Sequence, residues 1–108
     1  MIKPGSRDVK LHILIAGAEL DELQRFTWMM AESFGLDRRI ERYLGKRPIG
    51  LWRWDVECLL DVMLSALADP REYRSQEEPG YLVLKGLRDR LQQAYDGAYP
   101  EFKREASS

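Results

Sequence analysis

The chain has 108 residues, and its 17 Lys and Arg against 18 Asp and Glu leave a formal net charge of −1. That balance removes any whole-chain attraction to nucleic acid or to an anionic membrane. About a quarter of the residues are Leu, Ile, Val or Phe, enough to expect a packed core rather than disorder. Cys58 is the only cysteine, so no disulfide closes within the chain. A domain of this size buries roughly two-thirds of its unfolded surface and stands without such a staple.

In chain order, Val9, Leu11, Ile13 and Ile15 alternate with Lys10, His12 and Leu14, which predicts a short strand or extended arm. The same region also fits a long helix with an apolar seam from Val9 to Phe34, and Gly17 favours a junction instead. A lone strand must pair with another segment or with a second chain. The next expected element is a helix over 18–34, with Glu19, Asp21 and Glu22 near its positive end and Leu20, Leu23, Met30 and Phe34 on its buried face. Gly35 is placed as its C-cap, followed by a short helix over 37–44 that Gly45 closes, then a loop holding Lys46, Arg47, Pro48 and Gly50.

The strongest periodicity lies over 51–68, where Trp52, Val56, Leu59, Leu60, Met63 and Leu67 share one face that Cys58, Val62, Leu64 and Ala66 widen. This helix is expected at the centre. Asp69, Pro70 and Glu72 have the spacing of a capping box and predict a brief helical turn. After a polar loop over 74–78, Pro79 opens a last helix to about Ala98, with Leu84, Leu87, Leu91, Ala94 and Tyr95 inward. Residues 1–108 thus read as a single, mainly α domain: a compact bundle of three longer and one or two short helices behind a short strand, with 1–8 and 101–108 frayed. The apolar stretch 11–16 contains His12 and is too short for a secretory leader, and no run reaches the ~20 residues that span a bilayer, so a cytoplasmic protein is expected.

Charge is uneven, at +4 over 37–54 and −5 over 55–78. Arg38, Arg39, Arg42, Lys46, Arg47 and Arg53 form the basic block, interleaved with Tyr43, Trp52 and Trp54. Cations among aromatic faces can grip single-stranded nucleic acid or a phosphorylated ligand, although the near-zero net charge counts against it. Opposite blocks also attract each other, within one fold or between two copies, or remain solvated faces with weak local pairs.

Glu57 and Asp61, four apart, project from one side of a helix and are weak candidates for a divalent metal or for acid–base work. His12, the only histidine, has no motif spacing to connect it with them, and Cys58 reads as a small buried hydrophobe. There is no Gly-rich phosphate loop, CxxC, HExxH or GxSxG, so nothing argues for an enzyme or a cofactor. Phe26, Trp28, Met29 and Met30 carry more bulk than one inner face holds, which points to a contact surface or a second core layer. The expected role is a non-enzymatic protein-interaction module that self-associates as a homodimer or larger homo-oligomer, with Trp28, Arg39, Arg42, Arg47, Trp52, Arg53 and Trp54 as its contact surface. Alternatives are nucleic-acid or phospho-ligand binding by 38–54, or an enzyme using Glu57 and Asp61.

Overall fold

A computed structural model describes residues 10–30 and 35–100. Strand β1 (Leu11–Ile13) leads into helix α1 (Gly17–Gln24) and a 3-10 turn (Thr27–Met30). Helix α2 (Leu36–Arg42), strand β2 (Ile49–Leu51) and the long helices α3 (Arg53–Ala68) and α4 (Pro79–Ala98) follow. The mainly α bundle with a short strand is therefore the observed architecture. No helix among the described residues is long and apolar enough to cross a membrane.

The expected strand finds its partner inside the chain. β1 and β2 pair antiparallel, with Leu11 opposite Leu51, His12 opposite Gly50 and Ile13 opposite Ile49. Ile49 and Leu51 are buried while His12 faces solvent, as the alternation requires. β2 lies within what the sequence presents as loop.

The helix expected over 18–34 is shorter. α1 ends at Gln24, and the chain tightens into the 3-10 turn, where the Thr27 hydroxyl donates to the Gln24 carbonyl at 3.3 Å. The Phe26 and Met29 N–H groups bond to carbonyls three residues back, each at 3.0 Å, and Phe26, Thr27 and Met30 stay buried through the tighter winding. Leu20 and Leu23 are buried as expected, and Phe34 lies outside the described residues. Gly35 precedes α2 with φ 81. α2 stops at Arg42, ahead of the expected Leu44, because Tyr43 is extended and the Gln24 side chain takes up two end carbonyls, Ile40 at 3.0 Å and Tyr43 at 3.2 Å.

α3 begins at Arg53 rather than Leu51, since Leu51 belongs to β2 and Trp52 is its extended N-cap. Trp52 and Cys58 are consequently half-buried rather than core, and Leu64 is exposed. Val56, Leu59, Leu60, Val62, Met63 and Ala66 form the buried face, each large aliphatic contributing about 1.5–3 kcal/mol on burial. α3 packs on α4, the 3-10 turn and β2, and α4 also packs on α1, which makes these two helices the centre.

The 69–72 segment forms a hydrogen-bonded turn instead of a capping box. The Asp69 carboxylate accepts the Arg71 N–H at 2.9 Å, and Glu72 turns away to Arg25 at 3.0 Å. That backbone bond, with the Arg71 guanidinium, holds the Asp69 carboxyl below its ordinary range. α4 starts and ends where the periodicity places it, with Pro79 in its first turn and Leu84, Leu87, Leu91 and Tyr95 buried.

Candidate functional site: a tryptophan cleft beside a basic loop

Asp55 stands at the third position of α3 and is 1% exposed. Its Oδ2 accepts the Trp52 backbone N–H at 3.0 Å, the carboxylate half of a capping box. The same oxygen takes a charge-assisted bond from Arg39 Nη1 at 2.9 Å. Arg39 Nη2 reaches the Gly50 carbonyl, so one guanidinium ties α2 to β2 and to the start of α3. Arg39 is therefore a strut.

That strut fixes the residues around it. Because Trp52 is extended and Trp54 is helical, two indoles that helical spacing alone would splay apart stack with centroids 5.6 Å apart and planes at 16°. Lys10 Nζ lies 5.4 Å from the Trp52 ring centre, a cation–π distance. Gly50 permits this approach, since a Cβ there would come within 2.6 Å of the Lys10 stem. Arg39, Trp52, Trp54 and Asp55 line a cleft of about 380 Å³. Trp54 is 40% exposed and presents a flat apolar surface to solvent.

A second cleft of about 260 Å³ is lined by Arg42, Tyr43, Leu44, Lys46 and Arg47. The Tyr43 hydroxyl donates to the Arg47 carbonyl and accepts the Ile15 N–H at 3.3 Å, which pins the loop to the strand end. Gly45 takes φ 73 in a tight spot, where a Cβ would lie 3.1 Å from the Ile15 carbonyl oxygen. The loop so held presents Leu44, 75% exposed, among exposed Arg42, Lys46 and Arg47. These three and Arg38 make no salt bridge among the described residues.

Of the residues singled out in the sequence, the structure brings Arg39, Trp52 and Trp54 together in one cleft and Arg42 and Arg47 in the other. Arg53 turns to Glu57 at 3.3 Å, and Trp28, 68% exposed on the 3-10 turn, lines neither cleft. Asp55, Lys10 and Leu44 were not legible as members: the first two reach the site through tertiary contact, and Leu44 counted as the end of a helix. Glu57 also accepts the Tyr95 hydroxyl, and no group of three His, Cys, Asp or Glu converges as a metal site among the described residues.

The opposite charge blocks meet in part within the fold, through Arg39 with Asp55 and Arg53 with Glu57. Further acids of the 55–78 block are engaged by Arg71 and Arg25. Comparison with protein-family models, with curated proteins and with solved structures finds no match to this chain.

Proposed function

We propose that this chain is a non-enzymatic interaction module whose surface formed by α2, the 43–48 loop and the Trp52–Trp54 stack docks an acidic, amphipathic segment of a partner protein. The observation that carries this is the combination of exposed Leu44 and Trp54 with Arg38, Arg42, Lys46 and Arg47, cations that make no salt bridge among the described residues. Apolar anchors ringed by positive charge complement a segment with an apolar face and carboxylates at its edges. Arg and Trp are also the side chains that most often carry interface energy.

Self-association is the competing reading of the same surface. It is favoured by the charge asymmetry, but the acids of 55–78 are already largely engaged within the chain. A cytoplasmic setting, where a single cysteine stays reduced, belongs to the same proposal.

Fluorescence anisotropy with a labelled Glu-rich peptide carrying one Leu-Trp pair tests it, alongside an oligothymidylate and sedimentation of the protein alone. Saturable peptide binding with weaker oligothymidylate binding supports an acidic protein partner. Tighter oligothymidylate binding, or a stable oligomer that excludes the peptide, overturns it.

A further inference from the structure

A third cleft, of about 330 Å³, shares no residue with the tryptophan cleft or the basic loop. Leu64 and Leu67 of α3, Gln76 of the following loop, and Tyr81, Lys85 and Arg88 of α4 line it. Its chemistry is divided. Leu64, Leu67 and the Tyr81 ring supply an apolar wall, with Leu64 51% exposed. Lys85 and Arg88 supply two cations, and both lean on one carboxylate, Asp89, at 3.0 and 3.4 Å. No other acid pairs with either cation among the described residues, so one positive charge is left over.

Arg88 carries the stronger sign. Its Nε is buried and has no hydrogen-bond partner, the one such side-chain atom among the described residues. A buried donor left unmade costs about 1–3 kcal/mol, and a charged one more. The bond to Asp89 is long, at 3.4 Å, and occupies only Nη1. The Nε–Nη2 edge, the fork that matches a carboxylate, is thus unspent. The Arg88 side chain is 31% exposed and lines the cleft, so a ligand there takes up this edge if the side chain turns toward it.

The geometry points to a binding site for a small amphipathic monocarboxylate, its apolar body against Leu64, Leu67 and Tyr81 and its carboxylate on Arg88, with Lys85 beside it. A monoanion matches the single uncompensated charge, whereas a phosphate dianion would leave a negative charge over in a half-apolar cleft.

Titration of isotope-labelled protein with octanoate, with octanol as the uncharged counterpart, and with inorganic phosphate tests the assignment by NMR. Octanoate is expected to produce saturable shifts of the Leu64 and Leu67 methyls and the Tyr81 ring. Octanol should bind about tenfold more weakly, and Arg88→Met should lower octanoate affinity about tenfold while leaving octanol unchanged. Should Arg88→Met lose its helical circular dichroism, Lys85→Gln must narrow the octanoate-to-octanol ratio instead. Absence of saturable shifts, shifts centred elsewhere, equal affinity for octanol, tighter binding of phosphate, or indifference of octanoate affinity to the folded variant would each overturn the site.

Discussion

The guanidinium of Arg39 sits 2.9 Å from the carboxylate of Asp55, a partner 16 residues away in sequence, and the same carboxylate holds the Trp52 N–H at the head of α3. A buried carboxylate that loses its cation is left with an uncompensated charge. Arg39→Met is expected to destabilise the fold by about 2 kcal/mol, toward the low end for buried pairs because the Arg39 side chain is partly solvated. Asp55→Asn, which keeps an acceptor for the Trp52 N–H, should cost less, and the double variant should cost less than the two single costs added together. Urea denaturation of the four proteins checks this, and strict additivity would remove the strut.

Tyr73 donates its hydroxyl to Glu22, and burial first, then that bond, pushes the phenol well above its ordinary value of 10.0. The fold therefore favours the neutral phenol. Its stabilisation is complete below the unfolded value of 10.0 and is lost as pH rises beyond it toward the folded value. The gap in melting temperature between the wild type and Tyr73→Phe should be constant at neutral pH and shrink above 10.0. A gap that stays constant throughout contradicts the assignment.

Gly35 and Gly45 both take left-handed backbone, with φ 81 and 73, but their surroundings differ. A Cβ at Gly35 meets open space, and one at Gly45 meets the Ile15 carbonyl and the Leu20 side chain at 3.1 Å. Gly35→Ala should cost about 1–2 kcal/mol from backbone strain alone. Gly45→Ala should cost more, and should also disturb the Ile15–Tyr43 contact, visible as exchange broadening of the Ile15 amide. Equal losses in the two variants would contradict the described packing.

The parts of this fold that depend on repetition were legible in the sequence, and the parts that depend on a meeting of distant residues were not. Over α3 and α4 the apolar residues recur at the helical period for many turns, so both helices and most of their inward residues follow directly. β2 has three residues with glycine in the middle, too few to show alternation, and Ile49 and Leu51 become strand only because β1 lies beside them. The N-terminal limit of α3 differs from the expected Leu51 for a related reason: Trp52 continues the apolar phase but is held extended by Asp55 and β2. The basic and aromatic block was visible, but its division into Arg39 and Arg53, which pair inward, and Arg42 and Arg47, which do not, is set by tertiary geometry.

In the proposed interface Trp54 is the anchor whose loss should separate binding from folding. Its ring is partly exposed and stacked on Trp52, so Trp54→Ala should cost about 1 kcal/mol of stability or less. Peptide affinity, in contrast, should fall by about tenfold or more, as for truncation of an interface anchor. Parallel melting and anisotropy measurements check the pair of effects; intact affinity would remove Trp54 from the contact surface.

In the proposed interface the cations of α2 and the following loop face a negatively charged protein partner. Charge reversal measures this directly, because exposed Arg42 and Arg47 make no salt bridge among the described residues, so Arg42→Glu with Arg47→Glu should leave the melting temperature nearly unchanged. Anisotropy with the Glu-rich peptide at low and at high salt should show affinity reduced by about tenfold or more in the double variant, and a wild-type affinity that weakens with salt. Equal peptide affinity for the two proteins, or wild-type binding indifferent to salt, would contradict the account.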